Sequence, residues 1–177
     1  MCEHTAADRL IALKERYPYQ FGGKHIGLHV PPGWMQIFEG LCADVDAALG
    51  DDKYGFHWSQ LKEKWGSARF YFELANDKPG LRLDVVSEAG VLSLCKTARG
   101  EAEGVALSST LQALVSAAEQ QTRTACYACG AAGELDPSPG WVVTLCPDHM
   151  RTKHDDAEAF TRDQVVRSGQ APDWTSW

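Results

Sequence analysis

Positive charge is scarce in this chain. Its 177 residues carry 17 Lys and Arg against 24 Asp and Glu, a formal net charge of -7, with an isoelectric point near 5.3. That balance argues against a protein that coats nucleic acid, because such binding is mostly phosphate neutralisation by Lys and Arg. No apolar run is long enough to cross a bilayer, and no charged-then-apolar leader follows Met1. The expectation is a cytoplasmic protein with no membrane partner, whose six cysteines are thiols or metal ligands rather than disulfides. Also missing are a Gly-rich phosphate loop, a His-Glu-x-x-His pair, a Gly-x-Ser-x-Gly elbow, internal repeats and low-complexity tracts. Hydrophobic residues, at 44 %, and aromatics, at 10 %, suffice for a packed core and exclude a disordered chain.

Soft metal ligands are present, and they are grouped. Cys126 and Cys129 form a Cys-x-x-Cys pair, sixteen residues intervene, and Cys146 and His149 form a Cys-x-x-His pair. Gly130 and Gly133 let the backbone fold around an ion. Three thiolates and an imidazole suit one structural Zn2+ per chain, held tetrahedrally with no open position for chemistry. The competing readings are two unrelated Cys pairs, or a redox pair at Cys126 and Cys129. The second would call for a thioredoxin-like strand–helix setting. Cys42 lies beside the apolar face of a helix and reads as a small hydrophobe.

The remaining pattern implies an α+β fold: an antiparallel sheet packed by a long amphipathic helix, with a C-terminal zinc-ribbon-like lobe. Thr5 and Asp8 resemble a capping box, opening a helix that Pro18 ends. Residues 19–30 read as loop, with a short extended piece at 25–30. Trp34, Ile37, Phe38, Leu41, Val45 and Leu49 then fall on one helical face, and Gly50 stands where a helix C′ glycine belongs. Extended runs at 54–60 and 68–74 flank a turn at 62–66, and 81–85 alternates as a third strand, giving an antiparallel meander. Residues 87–107 stay unassigned, with Gly90, Gly100 and Gly104 interrupting any helix. Ser109 and Gln112 form a capping box for a helix toward Arg123. A short strand at 141–145 and a helix from Pro147 follow. The expected organisation is a core over 1–107, a helix plus metal lobe over 108–169, and a tail over 170–177 carrying Trp174 and Trp177.

Residues 53–74 hold Lys53, Lys62, Lys64 and Arg69 against Glu63 and Glu73, a local +2 in an acidic chain. If strand alternation turns Arg69 and Tyr71 away from buried Phe70 and Phe72, they share an exposed face with Lys62 and Lys64. That face is the expected partner-binding surface, and the same pattern also suits an ordinary solvated strand. The histidines and the acidic pairs Asp51-Asp52 and Asp155-Asp156 give no catalytic constellation in sequence. An enzyme site could still assemble from dispersed carboxylates and histidines in the fold.

Several blocks together resemble a family of small bacteriophage and prophage proteins. They are Gly33-Trp34 opening the long helix, and the Lys62-Glu63-Lys64-Trp65-Gly66 turn running into Arg69-Phe70-Tyr71. Further on come Ala118-Glu119 before the Cys126–Gly130 block, Gly140-Trp141, and Leu145 through His149. Trp65 stands where the family carries Phe. The resemblance implies the fold and the zinc site and brings no catalytic residues. Its setting implies a non-enzymatic accessory factor that engages a host protein, with a nucleic-acid or nucleotide-binding module on the 62–71 face as the alternative.

Overall fold

In the computed structural model, described for residues 5–53, 55–74, 81–87, 90–96, 102–138 and 140–167, the chain has the expected α+β character. Helix α1 (Ala6–Arg16) starts at the Thr5–Asp8 capping box. Pro18 does not simply end it. Its fixed φ suits a first helical position, and a short helix α2 (Pro18–Phe21) follows where loop was expected. This places Gln20 in the core, where its amide donates to the Cys42 carbonyl at 2.9 Å and its oxygen accepts from Trp58 Nε1 at 3.1 Å.

Strand β1 (Gly27–Leu28), a 3-10 turn (Pro32–Trp34) and the long helix α3 (Met35–Leu49) come next. Strands β2 (His57–Lys64) and β3 (Ser67–Glu73) pair antiparallel, and β1 pairs parallel to β2. α3 lies on this sheet as its apolar stripe requires, with the Phe38 ring 5.3 Å from Phe70 and 5.4 Å from Trp58. Ile37, Phe72 and Leu74 are only half-buried at the margin of that contact.

The meander is corrected. β4 (Leu81–Ser87) pairs with β5 (Gly90–Lys96) in a separate two-stranded sheet, so the third strand does not extend β3. Helix α4 (Ala102–Thr122) closes the β3 edge instead. Thr122 Oγ1 accepts from the Ala68 amide at 2.9 Å, and Glu119 Oε1 accepts from the Phe70 amide at 2.8 Å. Two outward-facing N–H groups, which a neighbouring strand would have claimed, are thus satisfied by side chains of a helix. α4 also starts earlier than the Ser109 signal and runs through Gly104, because burial of Leu111, Val115 and Ala118 outweighs one helical glycine. Strands β6 (Glu134–Asp136) and β7 (Val143–Leu145) then pair, and helices α5 (Pro147–Asp155) and α6 (Ala157–Arg167) end the described chain. The expected tail and its tryptophans lie outside the described residues. No helix among those described is long and apolar enough to cross a membrane.

Candidate metal centre

The two Cys/His pairs meet. The sulfurs of Cys126, Cys129 and Cys146 and a ring nitrogen of His149 all lie within 4.8 Å of one another. An ion held at about 2.3 Å by sulfur and about 2.0–2.1 Å by nitrogen in a tetrahedron sets its ligands about 3.8 Å (S···S) and about 3.6 Å (S···N) apart. Cys129 and Cys146 Sγ are 3.8 Å apart, and Cys126 Sγ is 3.6 Å from His149 Nδ1. Cys146 Sγ sits closer to that nitrogen, at 3.1 Å. The set fits one tetrahedral metal ion, with His149 facing it through Nδ1.

Local backbone builds each half. Gly130 N–H donates to the Cys126 carbonyl at 2.8 Å and Cys126 N–H to the Ala131 carbonyl at 2.7 Å, a tight knuckle that Gly130 completes at φ 79°. Burial pushes the Cys146 thiol up, but the His149 amide and imidazole outweigh it and draw the group down to about 7. Burial also pushes Cys129 up, and here it prevails, to about 11, only partly offset by the Ala131 backbone. Cys126 and Cys146 are buried and Cys129 is exposed.

Most of the family-like blocks turn inward onto this knuckle. Gly33 packs backbone on backbone: a Cβ there would stand 2.0 Å from the Cys126 carbonyl oxygen and 2.5 Å from Gly130 N. Its amide donates to the Tyr127 carbonyl at 2.9 Å, and Trp34 Nε1 donates to the Ala125 carbonyl at 3.0 Å. At the β2–β3 turn, Glu63 accepts from the Gly66 amide at 2.7 Å through Oε1 and from Trp141 Nε1 at 3.1 Å through Oε2. Thr144 Oγ1 donates to the Gly66 carbonyl at 2.7 Å. Trp141 stacks edgewise on Tyr127, and Phe160 bridges Trp141 and His149.

The expected partner-binding face survives only in part. Lys64 is exposed, and Lys62 and Tyr71 are half-buried, with Lys62 Nζ 5.2 Å over the Tyr71 ring. Arg69 is 2 % exposed, so it is not on an exposed face. Alternation does turn it away from Phe70, but this part of β3 is covered on both sides, and its guanidinium donates to Ser67 Oγ and the Ala68 carbonyl. The hairpin instead exposes Trp65, at 60 %. Trp65 and Gly66 form a two-residue turn with φ 55° and 78°, the left-handed geometry of a type I′ hairpin, where Asn or Gly is the usual first residue.

A second polar cluster had no signal in spacing. Buried Asp136 accepts from Lys153 Nζ at 2.7 Å and from the Ser138 amide and hydroxyl at 3.0 and 2.9 Å, with His154 Nε2 at 3.2 Å. Burial opposes ionisation of this carboxyl, but these donors hold it well below the usual carboxylate range. These contacts tie Asp136 and Ser138 to Lys153 and His154 of α5. Its only trace in sequence is an Asp-Pro-Ser turn followed by a Lys on an amphipathic helix. His29, whose basicity burial lowers, and His57 converge on no nucleophile among the described residues. No protein-family model, no curated protein and no solved structure matches the chain.

Proposed function

We propose that this chain is a non-enzymatic, zinc-stapled binding protein, a phage or prophage accessory factor that engages a host protein in the cytoplasm through its β2–β3 hairpin. Three thiolates and one imidazole are the donor set of structural zinc, and a fourth protein ligand leaves no site for a substrate. When bound, the ion supplies cross-linking of the two knuckle halves, while this chain's own residues join that lobe to the core.

The observation that carries the reading is Trp65. A large aromatic is held 60 % exposed at a left-handed φ of 55°, which costs a non-glycine residue roughly 1–2 kcal/mol. Strain of this kind collects where function needs it. The turn beneath Trp65 is fixed by Glu63, Trp141 and Thr144, so the side chain is presented on a rigid support, which lowers the ordering cost of binding. Lys62, Lys64 and Tyr71 extend the same hairpin. Tryptophan ringed by polar groups is a common binding hot spot.

The test is capture from a bacterial host lysate with the tagged, metal-loaded protein and its Trp65→Ala and Lys64→Glu variants, with and without nuclease. A host protein retained by the parent, lost with Trp65→Ala and indifferent to nuclease is the expected result. Retention that vanishes with nuclease would favour nucleic-acid binding on the same face. Capture of nothing, or of the same proteins by every variant, would overturn the reading.

A further inference from the structure

The lobe that carries the Cys/His cluster reaches the β2–β3 turn that presents Trp65. Leu135, on β6, is 50 % exposed, and its Cδ1 occupies the space directly over Gly66, 2.2 Å from where a Cβ on that glycine would stand. The φ of 78° favours glycine at position 66, and a Cβ there would displace the Leu135 side chain. Trp65 and Leu135 flank Gly66 from two different parts of the fold, and the Gly66 carbonyl is held by Thr144 of the strand paired with β6. The other exposed large apolar side chains among the described residues, Ile11 and Ile26, lie on α1 and before β1.

Charge is arranged unevenly beside this pair. Exposed Lys64 flanks the turn, Lys62 lies further back on β2 against Gln60 and Tyr71, and the carboxylate between them, Glu63, is directed onto the Gly66 amide and Trp141. Asp136, on β6, is buried against Lys153. Glu134 is the exposed carboxylate on β6. In a chain of net charge -7, this apolar pair thus has the Lys64 ammonium at its hairpin side. A polyanion as large as nucleic acid would meet the net negative field of the rest of the molecule.

We propose that Trp65, Leu135 and Lys64 form one composite docking surface for a short acidic segment of a protein partner, with an apolar side chain seated against Trp65 and Leu135. The proposal rests on the hairpin reading above and adds the partner's chemistry and the lobe's share of the surface. Because Leu135 and Thr144 are placed by the strands that lead into and out of the metal knuckle, the surface exists in full only when the metal is bound.

The probe is a displayed library of random twelve-residue peptides selected on the metal-loaded full chain, followed by fluorescence anisotropy on the enriched peptides. Enrichment of sequences that pair Asp or Glu with Leu, Phe or Trp is expected. Their Kd should rise at least tenfold with Trp65→Ala and with Leu135→Ser, rise several-fold with Lys64→Glu, and rise at least tenfold after chelation. Trp65→Asn is the sharpest variant: it suits the type I′ turn, so the melting temperature should rise while binding falls. Enriched peptides without acidic residues, or binding unchanged by Leu135→Ser or by chelation, would overturn the proposal. So would competition of the peptides by a fifteen-residue oligothymidine. A host protein captured from lysate in a Trp65-dependent way but indifferent to Leu135→Ser would leave the hairpin reading standing and remove this one.

Discussion

Gly33→Ala tests the joint between core and metal lobe with a single methyl group. Gly33 has an ordinary backbone conformation, so alanine is allowed there, and restricting the unfolded chain would by itself stabilise by about 0.4–1 kcal/mol. Contact decides the sign. The new Cβ would lie 2.0 Å from the Cys126 carbonyl oxygen, 2.5 Å from Gly130 N and 2.8 Å from Cys129 N, all backbone atoms. Reaching ordinary contact needs a separation of about 1.4 Å, the difference between 2.0 Å and the 3.4 Å at which Cβ contacts become ordinary. That movement takes the 2.9 Å Gly33–Tyr127 hydrogen bond past bonding range. Overpacking costs about 1–3 kcal/mol, and stranding the buried donor and acceptor costs about 1–3 kcal/mol more. The net expectation is a loss of about 2–4 kcal/mol, which for a chain of this size lowers Tm by about 5–15 °C. Metal transfer to a chromogenic chelator should speed up with it. Gly40→Ala, on α3 just after this turn, is the control, since nothing lies within 4 Å of its added Cβ; it should gain about 0.5–1 kcal/mol. If Gly33→Ala melts at or above the parent and releases metal no faster, the backbone contact between the Pro32–Trp34 turn and the knuckle is wrong.

The remaining predictions follow from the same contacts. Phe38→Ala should cost about 3–5 kcal/mol, because it empties the space among Trp58, Phe70 and Phe21; a denaturant midpoint within error of the parent would contradict that packing. Arg69→Glu should cost about 3–5 kcal/mol by burying a carboxylate where a guanidinium now sits, while Lys64→Glu changes Tm by less than about 0.5 kcal/mol equivalent. Lys153→Met should cost about 3–5 kcal/mol by leaving buried Asp136 without its ammonium, and adding Asp136→Asn should recover much of that loss. Because Asp136 is held below its unfolded value, its contribution is fully present above about pH 4 and fades as pH falls toward the folded value. Asp136→Asn and parent should therefore converge in stability on acidification, and a gap that widens would reverse the argument.

The parts of the fold that rest on local rules were legible in sequence. The Thr5–Asp8 box, the α3 stripe and the β2–β3 pair follow from capping chemistry and periodicity. The Cys126, Cys129, Cys146 and His149 cluster, able to hold a metal ion, follows from spacing, since two-residue gaps between soft donors have few other uses. What was hidden depends on partners distant in the chain. The β3 edge is closed by Thr122 and Glu119, some fifty residues on, so no pattern within β3 could tell a covering helix from a third strand. Arg69 obeys alternation and is buried nonetheless, because period two gives only the side of the sheet, not what lies over it. Glu63, Gly66 and Trp141 look like turn and loop residues until their hydrogen bonds across 78 positions are seen. The blocks Gly33-Trp34, Glu63 to Gly66, Ala118-Glu119 and Gly140-Trp141 have one physical role in common: each joins the metal knuckle or the helix before it to the sheet core.

The central claim is that the metal lobe holds the β2–β3 hairpin in its presenting geometry. Amide hydrogen exchange on the metal-loaded and chelator-stripped full chain tests it most directly. On stripping, protection should fall at the knuckle amides of Cys126 and Gly130, and with them at Gly33 and Gly66, which bond to or through the lobe. The middle of α3 and of the β2–β3 pairing should keep its protection. Unchanged exchange at Gly33 and Gly66 in fully stripped protein would contradict the account, and so would collapse of protection throughout the sheet and α3.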